Sequence, residues 1–327
     1  MTAYSFRKIW LAGAVLAFSA GAQANIVTSV KPLGFIASSI AEGVTDVEVI
    51  VPPGASPHDY NLKPSDVQKI NSADLLLWVG KDVDGFLAKT VHRIDGNKVI
   101  EIAEMDGVAE LLIESEHHHH DDEEHDAHEH GHSHKHGPHD VHDDKHEQEH
   151  QDENGLNVNW HVWYSPKISA MVATQVAEKL TTQYPNKKAQ IEKNLQNFDR
   201  TLQLQNEKIR TQLAPVKERG FYVFHDAYGY FNQAYGLKQK GAFTINPLVA
   251  PGAKTLAEIK AEIAEHHVSC LFAEPQFTPK VIESLSKGAA VKIGRLDPMG
   301  DSVKLGRDSY VNFLQSTADS YFHCLSK

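Results

Sequence analysis

"NKKAQIEKNLQNFDRTLQLQNEKIRTQL", residues 186–213, is an unbroken helical pattern. Ile191, Leu195, Phe198, Leu202, Ile209 and Leu213 recur at spacings of three, four and seven, with no glycine or proline between them. About 28 residues at ~1.5 Å rise make a rod of ~40 Å, longer than most helices inside one domain. A rod of that length joins two bodies more naturally than it packs within one.

Both flanks read as α/β sequence. Before the rod, "NIVTSVKPLGFIASSIAEG" reads strand then helix, "VEVIVPPGASPHDYNLKPSDVQKIN" strand, loop and helix, and "ADLLLWVG" a continuous apolar run suited to a buried parallel strand. "GFLAKTVHRI" reads as a further helix, "NKVIEI" as a short strand, and "SPKISAMVATQVAEKLTTQYP" as an amphipathic helix with Ser165 at its N-cap and Pro166 at N1. After the rod come "FYVFHDAYGYFNQAYG", "KTLAEIKAEIAEHH", "VSCLFAEPQ", "TPKVIESLSKG", "VKIGRLDP" and a closing helix, "DSYVNFLQSTADSYFHCL". Strands alternating with helices imply parallel sheets in both halves. The expected fold is α/β, two parallel-sheet lobes joined by one long helix, with a cleft between them. At 327 residues the chain is long enough for each lobe to bury its own core.

The first residues set the compartment. Arg7 and Lys8 precede "IWLAGAVLAF", followed by "SAGAQA". A basic start, a short apolar core and Ala22-Gln23-Ala24 as an A-x-A site read as a secretory signal peptide cleaved after Ala24. The apolar stretch falls short of the roughly 20 residues that span a bilayer, which disfavours an anchor. No cysteine follows the site to carry a lipid. The expected organisation is a signal peptide over 1–24, an N-terminal lobe over 25–185, a linking helix over 186–215 and a C-terminal lobe over 216–327. Cys270 and Cys324 are the only cysteines. In an oxidising compartment they read as one disulfide tying a strand to the last helix; a metal pair or a redox pair is the rival reading, and there is no C-x-x-C.

The formal charge of −11 is concentrated in one place. The run from His117 to His150 holds 14 histidines, 11 acids and 2 lysines, with only Ala127 and Val141 as apolar side chains. The rest of the chain is close to neutral, which leaves no basic face for nucleic acid or anionic lipid. The run and its flanks, residues 115–155, cannot build a core and read as a disordered loop near the mouth of the cleft. Its histidines are His117, His118, His119, His120, His125, His128, His130, His132, His134, His136, His139, His142, His146 and His150. Many imidazoles and carboxylates together form a weak multivalent metal-capturing segment, an accessory to a tighter site.

Seven histidines lie elsewhere. His58 in "PPGASPHDY", His161 in "NWHVWYSP" and His225 in "FYVFHDAYGYF" fall in loops at strand ends, where parallel α/β sheets place ligands. The first two belong to one lobe and the third to the other, so they can converge across the cleft. His92, His266, His267 and His323 have no such placement and read as structural. Three neutral imidazoles with an open fourth position make a tetrahedral zinc arrangement, whereas carboxylate-rich sites suit manganese. Metal binding is then expected to weaken as pH falls through ~6.5. Asp59 and Asp226, each beside one of the histidines, are candidates for orienting the rings. A zinc hydrolase is the rival class, but neither H-E-x-x-H nor G-x-S-x-G occurs. A periplasmic zinc buffer is a third.

"VTSVKPLGFIASSIAEG", "GASPHDYNLKPSDVQKINSADL", "FHDAYGYF", "NPLVAPGAKTLAEI", "CLFAEPQFTP" and "LDPMG" together resemble the periplasmic zinc-binding component of bacterial high-affinity zinc ABC importers, the ZnuA-like branch of the metal-receptor family. The resemblance covers nearly all of residues 25–327. It implies two α/β lobes on a rigid backbone helix, zinc as the transported ligand, no enzymatic activity, and zinc-ligand roles for His58, His161 and His225. It also implies a Cys270–Cys324 bridge, a role for histidine-rich loops of this kind, and an inner-membrane ABC permease with a cytoplasmic ATPase as partners of a monomer. Two positions qualify it. Pro57 stands where some members carry a glutamate that completes the zinc shell, so water is preferred as fourth ligand. Asp297 of "LDPMG" matches the aspartate that manganese-type relatives use and is the second candidate.

Overall fold

The computed structural model describes residues 25–115, 158–244, 253–265, 268–276, 282–283, 286 and 291–326. The signal segment, the histidine run, His266, His267 and most of "TPKVIESLSKG" lie outside the described residues.

The apolar run Leu75–Trp78 is fully buried and becomes an interior strand, β3. Around it stand β1 (Asn25–Thr28), β2 (Asp46–Val49) and β4 (Val99–Glu101), in the order β2-β1-β3-β4 and all parallel. Helices α1 (Lys31–Ala41) and α2 (Pro64–Ser72) make the crossovers between the first three strands. The expected helix in "GFLAKTVHRI" is a 3-10 turn, Gly85–Leu87, running into a short helix, Ala88–Val91, and a further turn, Lys81–Asp84, precedes it. Asp84 folds back there to accept the N–H groups of Val79 and Gly80. Beside the sheet lies a two-stranded antiparallel ribbon, β5 (Ile113–Glu114) with β6 (Val158–Asn159). It brackets the chain on either side of the histidine run. Ser165 caps α3 (Pro166–Gln183) as its sequence suggested, accepting from the Ile168 N–H at 3.3 Å.

The long rod is α4 (Lys188–Leu213), entered through a short turn at Pro185–Lys187. Its buried stripe is Ile191, Asn194, Phe198, Leu202, Ile209 and Leu213, with Leu195 only half buried. Asn194 takes an inward place because its amide donates to the carbonyls of Ile40 and Glu42 at 2.8 Å each. Those are orphan acceptors at the end of α1, which would otherwise be buried unpaired.

The second sheet repeats the logic with β7 (Phe221–His225), α5 (Gly229–Tyr235), β8 (Gln239–Thr244), α6 (Ala253–Glu265), β9 (Cys270–Ala273) and β10 (Lys292–Arg295). Its order is β10-β9-β7-β8, again all parallel. The closing helix α7 (Ser309–Leu325) packs on both α4 and α1, so the end of the chain returns to the first lobe. Phe313 of α7 meets Phe35 of α1 at 5.4 Å between ring centroids. Gly300 sits against the same two rings with φ +63°; a Cβ there would come within 2.6 Å of Phe313 and 2.8 Å of Phe35. Cys270 of β9 is disulfide-bonded to Cys324 of α7, spanning 54 residues. Closing a loop of that size removes roughly 4 kcal/mol of unfolded-chain entropy in the chain-entropy picture.

The two lobes share their interior. One apolar cluster runs from Ile26, Leu75 and Leu77 through Phe198 and Leu202 to Phe221, Phe272 and Tyr321. No described helix is long and apolar enough to cross a membrane. A continuous core predicts a single cooperative thermal transition with calorimetric and van't Hoff enthalpies in agreement. Two resolved transitions by scanning calorimetry would show lobes that fold independently.

Candidate metal centre

His58, His161 and His225 come together at the seam between the lobes. Among the described residues they form the one group of histidine, cysteine or acidic side chains with ligand atoms close enough to share a metal ion. His58 lies in a single turn, Pro57–Asp59, after the loop that leaves β2; Ser56 Oγ caps the turn by accepting the His58 N–H at 3.3 Å. His225 is the last residue of β7, at the C-terminal end of a parallel sheet. His161 differs from the expected placement. It follows β6 of the antiparallel ribbon and stands at the N-cap of the turn Val162–Tyr164.

The Nε2 atom of His161 lies 3.4 Å from that of His58 and 3.3 Å from that of His225. Two nitrogens bound to one tetrahedral zinc at about 2.0–2.1 Å stand ~3.3–3.4 Å apart, so the spacing already matches the edges of a zinc tetrahedron.

The ring partners fix which nitrogen turns toward the cluster. Asn159 Oδ1 accepts both the backbone N–H of His161, at 3.0 Å, and its Nδ1, at 2.9 Å. The Nδ1 of His225 meets the carboxylate of Glu274 at 2.7 and 2.8 Å, and Tyr228 donates its hydroxyl to the same carboxylate at 3.2 Å. Both imidazoles therefore carry a proton on Nδ1 and turn their Nε2 atoms toward each other across 3.3 Å, where one cation can take both as ligands. Glu274 is fully buried and sets a negative charge behind His225. That charge raises the basicity of the ring as a ligand and offsets part of a bound dication's charge.

Burial, with His225 beside it, pushes the His58 imidazole down to about 4, and burial with both neighbours holds His161 well below the usual histidine range. Desolvation disfavours imidazolium, so these two rings stay neutral in mildly acidic solution. The loss expected through ~6.5 therefore does not come from these two rings.

Trp163 stands edge-on to His161 at 5.2 Å between centroids, and Ser56, Pro57, Gln276, Pro298 and Met299 complete the lining. The enclosed space is about 10 Å³, room for one ion or water, whereas pockets for organic ligands run to ~300–1,000 Å³.

Asp297 does not join the cluster. Its Oδ1 accepts the N–H groups of Met299 and Gly300 at 3.1 and 3.0 Å, and its Oδ2 that of Asp301 at 2.7 Å. It closes the turn after β10. The carboxylate and carbonyl of Asp226 accept from Asn159. Asp59 is exposed. The ring-orienting residues are instead Asn159 and Glu274, two residues before His161 and just past β9. Their positions at strand ends were the only available signal. His92 and His323 lie on the exposed surface away from the cluster.

A parallel α/β pair of lobes with an ion-sized histidine site at the seam defines a metal-binding solute receptor. Residues 26–324 match the model of the zinc-uptake complex component A periplasmic family, ZnuA, and the chain belongs to that family, whose members are periplasmic solute-binding proteins and not enzymes. The high-affinity zinc uptake system protein ZnuA of Haemophilus influenzae is 61% identical over 328 residues, covering 97% of each chain. Its counterpart in Yersinia pestis is 42% identical over 304 residues, covering 93% of this chain and 92% of its own. Among solved structures, a ZnuA crystal structure superposes with a TM-score of 0.70 at 21% identity, covering 92% of this chain and 98% of that one. The periplasmic zinc-binding protein TroA of Treponema pallidum gives the same TM-score of 0.70 and 21% identity, over 93% and 100%. These two likenesses bear on the fold.

Each imidazole that must shed a proton adds one unit of slope to log Kd against pH. With His58 and His161 already neutral, metal affinity at this cluster is expected to fall no more than about tenfold per pH unit between about pH 6 and 5, steepening toward pH 4, where His58 takes its proton. Competition titrations with a pH-insensitive chelator would show this. A slope near three by pH 5 would mean all three rings titrate normally.

Proposed function

We propose that this protein captures Zn(II) in the periplasm, holding it on the Nε2 atoms of His58, His161 and His225 with water at the fourth position, and passes it to an inner-membrane ABC permease driven by a cytoplasmic ATPase. The observation that carries the reading is the convergence of three imidazoles, with the His161 Nε2 at zinc-tetrahedron distance from both of the others. The naming of the Haemophilus and Yersinia relatives for high-affinity zinc uptake supports it. An all-nitrogen ligand set favours zinc over the harder manganese ion.

The rest of the reading follows from the sequence. Residues 1–24 direct export and are cleaved after Ala24. The lobes 25–185 and 216–327, joined by 186–215, work as a monomer. The run from His117 to His150 gathers zinc weakly and raises its local concentration, since each loop site holds metal with few, mobile ligands while the cleft holds it with a fixed set. Lobes that share a core open only locally, so release is a matter of small movements around the ligands.

Calorimetric zinc titration at neutral pH tests this. The intact protein is expected to show one tight site plus weaker binding. His225→Ala should lose the tight phase alone, and deletion of residues 117–150 the weak phase alone. Survival of the tight phase in His225→Ala, or its loss on deletion of the run, would overturn the assignment.

A further inference from the structure

Asn159 is 2% exposed and uses every hydrogen-bonding position its side chain has. Oδ1 takes two bonds from His161, one from the backbone N–H and one from Nδ1–H. Nδ2 gives two to Asp226, to its carbonyl at 2.8 Å and its carboxylate at 3.3 Å. The backbone N–H of His161 can only donate, so the amide oxygen has to face His161 and the nitrogen has to face Asp226. One planar group thus joins a residue of the first lobe to the residue that follows His225 in the second.

The strand carrying Asn159 is held from the other side as well. Its carbonyl accepts the Tyr230 hydroxyl at 2.7 Å, and that hydroxyl in turn accepts the Ile113 N–H at 3.3 Å. Gly229 lets the ribbon lie directly on α5: a Cβ there would fall 2.7 Å from Ile113 Cδ1 and 3.4 Å from Asn159 Nδ2. Asp226 is itself steadied by Gln239, whose Nε2 donates to Oδ1 at 3.0 Å.

We propose that Asn159 is a positioning residue for the metal site: its oxygen holds the His161 Nε2 lone pair toward the metal, and its nitrogen registers that ring against the strand end that carries His225. It touches no metal, yet it fixes the tautomer of one ligand and the distance between two. An aspartate keeps the acceptor but presents a carboxylate to the Asp226 carbonyl and carboxylate; an aliphatic residue keeps neither end. The inference rests on the zinc reading of the three histidines, and its test separates the two.

The test pairs Asn159→Ala with Tyr230→Phe, which removes a hydroxyl that touches only backbone atoms of the ribbon. Both should lower the thermal midpoint. Only Asn159→Ala is expected to weaken zinc binding, by about 10- to 100-fold, the usual cost of losing a hydrogen bond behind a ligand. A second readout needs no metal: long-range ¹⁵N–¹H spectra of zinc-free protein should show His161 protonated on Nδ1 in the parent and in Asn159→Asp, and a mixture of tautomers in Asn159→Ala. Equal affinities in Asn159→Ala and Tyr230→Phe, or an unchanged His161 tautomer in Asn159→Ala, would overturn the proposal. Absence of a tight zinc phase in the parent protein would instead overturn the reading on which it rests.

Discussion

Everything at the seam depends on keeping two imidazole Nε2 atoms face to face. His161 and His225 each give their Nδ1 proton to a buried acceptor, Asn159 or Glu274, and each turns Nε2 toward the other across 3.3 Å. The fold holds that arrangement before an ion arrives, so binding has little left to order, which is how preorganisation strengthens it. A flexible pair of loops would relax by turning one ring over and would bind correspondingly less well.

The architecture makes that rigidity available. His58 and His161 belong to one lobe and His225 to the other, so a hinge between lobes would let the site fall apart. The shared apolar core, the return of α7 onto α1, and α4 packed along its buried stripe oppose such a hinge. The Cys270–Cys324 bridge ties β9, which leads directly to Glu274, to the same returning helix. Desolvation then serves the site twice: it keeps His58 and His161 neutral and strengthens the pull of Glu274 on His225, because both effects grow as water is excluded.

Much of this was legible in the sequence, for identifiable reasons. The spacing of Ile191, Phe198, Leu202, Ile209 and Leu213 marks a long one-faced helix, and apolar runs such as Leu75–Trp78 mark buried parallel strands, because periodicity survives in one dimension. Strand ends point to ligand positions, which singles out His58 and His225. The ring partners were not legible. Asp59 and Asp226 sit next to ligands in the chain, but the partners that reach the rings come from two residues away (Asn159) and from the end of another strand (Glu274). The ribbon that carries Asn159 is two residues per strand, too short to show any period. The lowered basicity of His58 and His161 depends on burial by residues distant in sequence, and the commitment of Asp297 to three backbone N–H groups depends on a turn that only the folded chain displays.

The most direct measurement is zinc K-edge X-ray absorption on protein lacking residues 117–150 and loaded with one equivalent of zinc, so that the run contributes no imidazole. The account predicts a four-coordinate first shell of three imidazole nitrogens at about 2.0–2.1 Å and one oxygen. A shell with fewer than three imidazoles, or one dominated by carboxylate oxygen, would contradict it.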